Sequence, residues 1–256
     1  MNYYNSAVGI SDTGYQRLGS VYLKDKIVPE ENDEIWNKPV NIYTNYLGNL
    51  NTKSFLNIAY VYDGYSFYNR HTLYGGYGYT FFHESAATLT VGGRLALNID
   101  QVDWDELGQI SDKPSESMHL TPDLDIGTRL RWKGLDLGIS SKNFLATDYK
   151  VDGEELISNY REWYISGSYT FGFFDRKLSL SPYMLFLSER DVELDAGLNV
   201  NLFHMIDVSY AYRIFELRNI ASAKVKFMKR FRIGAAIDWS SVFSDTNIDF
   251  MVSYTF

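Results

Sequence analysis

Four histidines are the first residues to test for chemistry: His71, His83, His119 and His204. An imidazole acts as a metal ligand or general base when a second group stands at a fixed spacing, as in the HExxH pair one helical turn apart. None of the four has such a partner, and the chain holds no cysteine to complete a thiolate site. No metal site and no cofactor are therefore expected. His83-Glu84-Ser85 brings a base, an acid and a hydroxyl together, but the members of a catalytic triad converge from separate segments. That tripeptide reads as a solvated turn. The sequence has no GxSxG, no Walker motif and no dinucleotide fingerprint, and Gly92-Gly93 sits mid-strand, where packing is the expectation rather than phosphate binding. No residue is assigned to catalysis.

The charges form a clearer pattern. Arg94, Asp125, Arg129, Arg131, Asp136, Lys142, Glu193, Asp195, Asp207, Arg213, Lys224, Lys226, Arg232 and Asp238 all stand on the polar side of segments whose other side is apolar. The period is two, which is that of a strand. A charge turned to lipid at mid-bilayer costs about 2–4 kcal/mol, so confinement of charge to one face is what a transmembrane barrel demands. Both signs occur, and a salt-bridged, largely closed lumen is the favoured expectation. A permeation path that selects anions through its Arg and Lys residues is the alternative.

The elements that must position these residues are strands throughout. Ile248 to Phe256 (IDFMVSYTF) alternates Ile248, Phe250, Val252, Tyr254 and Phe256 with Asp249, Met251, Ser253 and Thr255. An aromatic-rich apolar face ending on Phe resembles the C-terminal insertion signal of outer-membrane barrels. Phe250, Val252, Tyr254 and Phe256 are assigned to it, against the alternative of a soluble edge strand. Similar alternation recurs from Tyr15 onward, most clearly at Thr88–Ile99, Leu135–Lys142 and Val192–Leu202, and gives about 14 strands in hairpin succession. A bulge is expected at Pro182, where the phase changes. Asp100 to Thr121 reads as the longest connection, with one helical turn at DWDEL. Loops after odd strands are long and acidic, and turns after even strands are short, as in barrels with long outer loops and short periplasmic turns. The expected fold is an all-β, transmembrane, antiparallel up-and-down barrel over residues 15–256, preceded by a periplasmic or lumenal segment, 1–14.

Composition agrees. Aromatic residues make up 16% of the chain, with 21 Tyr and 16 Phe, and there are only 5 Pro to interrupt strands. The net charge of −8 disfavours nucleic acid as a partner. No run of about 18 apolar residues could form a spanning helix. Met1 to Gly14 shows neither a basic nor an apolar signal region, so a cleavable leader is expected upstream of Met1.

Several segments, taken in order, resemble the PorP/SprF family of type IX secretion and gliding-motility proteins. These are YNSAVGISDTG, LYGGYGYTFF, GLDLGISSKNFL, YISGSYTF, LDAGLNVNL and FRIGAAIDWS. Ser6 stands where that family usually has Pro. The resemblance implies a non-enzymatic barrel in the bacterial outer membrane, surrounded by its lipid. It implies as partners type IX lipoproteins, motor-linked periplasmic proteins, or the C-terminal domain of a secreted adhesin. Tyr4, Asn5, Ala7 and Gly9 are the motif positions carried over, as a candidate contact. Separately, the short turns carry Lys133, Arg176, Lys177, Lys229 and Arg230, which would form a basic periplasmic rim. A barrel enzyme ranks last among the readings.

Overall fold

The computed structural model describes residues 17–27, 40–65, 68–82, 86–103, 118–146, 149–151, 154–157, 159–188, 192–227, 230–242 and 246–255. The strand segments are β1 (Arg17–Ile27), β2 (Val40–Asn49), β3 (Ser54–Tyr65), β4 (Tyr68–Phe81), β5 (Ala87–Val102), β6 (Met118–Trp132), β7 (Leu135–Lys142), β8 (Tyr149–Val151), β9 (Glu154–Ile157), β10 (Glu162–Tyr169), β11 (Phe171–Phe173), β12 (Leu178–Ser188), β13 (Val192–Leu202), β14 (Ile206–Arg213), β15 (Arg218–Phe227), β16 (Phe231–Ser240) and β17 (Thr246–Thr255). β8 and β9 form a small separate hairpin. β10 and β11 are one stave interrupted at Thr170, so the wall has 14 staves.

Each stave pairs antiparallel with its sequence neighbours. β10 bridges β7 and β12, and β1 pairs with both β2 and β17. Every stave thus has two hydrogen-bonded neighbours, and the sheet returns on itself without an edge. Val21 faces Thr44, Thr44 faces Tyr60, Tyr60 faces Leu73 and Leu73 faces Leu97. Followed round the whole ring at constant register, this path returns to β1 displaced by about 14 residues, a shear equal to the stave number and a tilt of about 37°.

The faces are those of a membrane barrel turned inside out relative to a soluble core. On β5, Val91, Leu95 and Leu97 are exposed on the outer surface, Leu95 at 68%, while Thr90, Arg94, Asn98 and Asp100 are buried inside. Leu198, Val208, Ile233, Phe250 and Val252 are likewise exposed around the rest of the ring. Aromatic side chains cluster near the end that holds the short turns. Tyr79 lies 4.9 Å from Phe81, Tyr169 lies 4.7 Å from Phe171, and Phe231 lies 5.5 Å from Phe227 and 4.7 Å from Tyr254. No helix of the described residues is long and apolar enough to cross a membrane, and none is needed when strands do so.

Three local features differ from the sequence reading. The β12–β13 register runs unshifted through Pro182, so there is no bulge there. Instead the β10–β12 ladder stops at Ser168↔Tyr183 and resumes as β11 at Phe171↔Leu180. Thr170 N–H donates to Gly134 O at 2.8 Å on the opposite side, so by alternation it is Tyr169 whose backbone faces Pro182, a residue with no N–H to give. The connection expected over Asp100–Thr121 is shortened from both ends by β5 and β6, to 103–117; of the DWDEL segment all but Asp103 lies outside the described residues. The alternation of long and short connections is only partial: the outer connections after β1, β5 and β7 are long, but the one after β3 spans only 66–67. After β12, β14 and β16 the outer connections are as short as the inner ones.

β5 and β6 outreach β7. The β6–β7 ladder begins at Ile126↔Ser141, so among the described residues Met118–Asp125 has no stave on that side, and of its carbonyls Leu124 O accepts Phe144 N–H at 2.8 Å.

Candidate functional site

The lumen and the rim of short turns are where this fold can act, because the outer face meets lipid. Alternation on neighbouring staves brings inward charges opposite one another, and the register decides which of them meet. Arg94 faces Asp125 across β5–β6, and Arg94 Nε donates to Asp125 Oδ2 at 2.8 Å with both side chains essentially inaccessible. The Arg94 guanidinium also lies over the Tyr74 ring at 4.4 Å. Arg129 forms a two-pronged pair with Asp136, its Nε at 2.7 Å from Oδ1. Arg131 is also partnered.

Further round the ring, Arg213 Nε lies 3.0 Å from Asp195 and 3.5 Å from Glu193, and its Nη1 lies 3.3 Å from Glu216. The structure adds lumenal groups that the sequence reading missed. Arg70 donates to Asp100 at 2.6 Å, and the Tyr68 hydroxyl donates to the same carboxylate. Glu162 is a further one, 3.4 Å from the expected Lys142, and so is Arg218, 2.7 Å from the expected Asp238. Arg70 and Asp100 share the phase of Thr72 and Asn98. Carrying the alternation two residues further along each strand would have found them.

Lys224 and Lys226 are also inward, on β15, with Arg232 beside them on β16. Lys226 stands directly opposite Arg232, and Lys224 opposite Gly234. Lys224 is exposed, whereas Lys226 and Arg232 are half-buried.

The turns at 50–53, 82–86, 133–134, 174–177, 203–205 and 228–230 share one end of the ring with the start of β1 and the end of β17. In outer-membrane barrels the short turns are periplasmic. Lys133, Arg176, Lys177 and Arg230 are exposed there. Lys133 Nζ lies 5.3 Å from the Trp132 ring, and Arg230 Nη1 lies 3.2 Å from the Tyr254 hydroxyl. Arg176 adopts a left-handed φ of 63° in its turn, as do Phe174 and Asp175. Of the terminal strand, Phe250 and Val252 face outward and are exposed, and Tyr254 is half-buried. Tyr4, Asn5, Ala7, Gly9, Lys229 and Phe256 lie outside the described residues.

An edgeless ring of tilted strands, apolar outside and ion-paired inside, is an outer-membrane β-barrel. Similar solved structures include the P. putida toluene transporter TodX (10% identity, 98% of this chain and 92% of that one, TM-score 0.57). Others are Acinetobacter baumannii Omp33 (7%, 96% and 100%, TM-score 0.56) and a Pseudomonas aeruginosa FadL homologue (10%, 95% and 90%, TM-score 0.54). At these identities the likeness is one of fold. Comparison with curated proteins gives no match. The sequence profile of the type IX secretion system membrane protein PorP/SprF matches residues 33–256, and the chain belongs to that family.

Proposed function

We propose that this barrel is a non-enzymatic docking element of the type IX machinery, which holds a partner at its periplasmic side. The partner is an envelope lipoprotein or motor-linked protein, or the C-terminal domain of a secreted adhesin. The observation that carries this reading is the set of exposed cations at one end, Lys133, Arg176, Lys177 and Arg230, to which the sequence adds Lys229. Such a rim attracts and orients an acidic surface. The segment around Tyr4, Asn5, Ala7 and Gly9 is proposed to join the same interface. Charge reversal at Arg176, Lys177, Lys229 and Arg230 should leave insertion intact while co-purification of partners and surface display of the adhesin fall. A reversed variant that inserts, keeps its partners and secretes normally would retire the rim.

A solute channel is the second reading. It is favoured by the accessibility of Lys224 and Asp207 on the lumenal wall, and single-channel conductance in planar bilayers separates the two.

A further inference from the structure

We infer that the periplasmic mouth of the lumen is a binding site for an acidic peptide segment, held by Lys224, Lys226 and Arg232 on the β15–β16 wall. This deepens the proposed function by naming the chemistry of what is held, and it rests on that reading only for the identity of the protein that owns the peptide.

Three cations share one small stretch of wall. Lys226 and Arg232 are directly opposed on neighbouring strands, and Lys224 is two residues along on the same face. Like charges placed opposite one another destabilise a sheet, so an arrangement of this kind calls for a counter-anion. Among the described residues it has none within ion-pair distance. Arg70, Arg94, Arg129, Lys142, Arg213 and Arg218 each meet a carboxylate, whereas Lys224, Lys226 and Arg232 form no ion pair with the described residues.

The nearest acid in the register is Asp207, which faces Lys224 from β14. Its Oδ1 accepts instead from Asn201 Nδ2 at 2.5 Å. Lys224 lies the other way, across the bare backbone of Gly234, where an added Cβ would meet Lys224 Cγ at 2.7 Å. Glycine at 234 thus lets the lysine stem rest on the wall and leaves the mouth clear.

The site has room and an approach. Side chains of the wall fill a barrel of about 8 strands, and this ring has 14. Solvent reaches Lys224 and the neighbouring Asp207. Charge favours approach from the mouth. At the far end of the same wall Glu193, Asp195, Glu216 and Asp238 surround Arg213 and Arg218, leaving carboxylate in excess of guanidinium. An anion drawn in at the mouth is repelled at the opposite end, which favours retention over passage. Extent argues for a peptide rather than a small ion. Alternate side chains of an extended chain stand about 7 Å apart, the repeat that separates Lys224 from Lys226, and exposed Arg230, between β15 and β16, adds a cation at the adjoining rim.

The test uses the full chain purified in detergent and a fluorescein-labelled hexaglutamate peptide, read by anisotropy at low salt. The wild type should bind it. Lys224→Gln, Lys226→Gln and Arg232→Gln together should weaken binding at least tenfold, while Lys224→Arg retains it. Heat-modifiable migration verifies folding of each variant, and if the triple variant fails that check, Lys226→Gln alone should weaken binding about threefold.

The proposal is overturned if the wild type does not bind, or if a folded triple or single variant binds as well as wild type. It is also overturned if inorganic phosphate displaces the peptide at equal charge concentration, which would mark a small-ion site. A loss confined to Arg176→Glu/Lys177→Glu would place the site on the rim and not in the mouth. Because no cellular partner is present, failure here is distinct from failure of the docking reading, which shows in co-purification.

Discussion

The wall from β2 to β7 and the wall from β13 to β17 obey the same alternation, yet their inner faces differ. In the first, Phe55 is wholly inaccessible, and Ala59, Val61, Tyr74 and Ala96 pack into an apolar cluster against Tyr43. The Thr80 and Thr90 hydroxyls share a buried hydrogen bond of 2.9 Å, and Thr72 donates to Asn98 at 2.9 Å. In the second, most inward positions are half-buried, and Lys224 and Asp207 are exposed. A period of two therefore decides which side chains face the lumen and says nothing about whether the lumen there is filled. Filling depends on the size of those side chains and on what stands beside them. β3 and β4 turn Phe55 and Tyr74 inward, where β15 and β16 turn Ser222, Gly234 and Ala236.

That contrast can be broken most sharply at the ion pairs. Arg94→Ala strands the buried Asp125 and should cost about 3–5 kcal/mol, whereas Lys226→Ala, with no partner to strand, should change unfolding in urea very little. Comparable losses at the two sites would mean that the halves are not different inside. The outer face should not distinguish them. Leu95→Arg and Leu198→Arg each put charge into lipid at about 2–4 kcal/mol, and both should lower the folded, heat-modifiable population to a similar degree. Next comes inward insertion. Thr90→Arg forces volume into the packed half and should cost about 1–3 kcal/mol, while Asn199→Arg enters the open half and should insert normally.

The smallest effect is on pH. The Glu216 carboxyl, in the β14–β15 turn, is held below its ordinary range by a hydrogen bond with Glu193 and by Arg213. A lowered folded pKa means that its contribution is present at neutral pH and is lost as pH falls through that depressed value. Acid should therefore loosen the Arg213 network, and Glu216→Gln should blunt that response in a thermal scan across pH.

The strands and their two faces were legible because alternation is a local property. Val91, Leu95 and Leu97 against Thr90, Arg94 and Asn98 can be read from sequence with no knowledge of neighbours. The outer ends of β4, β5 and β6 were less legible, since Asn69, Asp100 and Pro122 look like loop residues. Pro122 is accommodated because, among the described residues, β6 has no stave on its far side there. At Pro182 the disturbance was visible, but not its form, because a bulge and a missing ladder bond leave the same mark in a single strand. Which cation meets which carboxylate was not legible, since it depends on register between strands. For the same reason, nothing in the sequence sets Lys224, Lys226 and Arg232 apart from Arg213.

The pairing of β1 with β17, from Leu18↔Thr255 to Ile27↔Thr246, also bears on the order of events in assembly. The two staves are more than two hundred residues apart in the chain, and β17 is synthesised after every other stave. Until it arrives, β1 carries a row of unpaired N–H and C=O groups that hydrocarbon cannot satisfy. Closure of so long a loop must come before any of its ladder bonds can repay the lost chain entropy. Closing the ring needs this one strand in the right register, and a slip of one residue there would turn Phe250 and Val252 inward and Asp249 toward lipid.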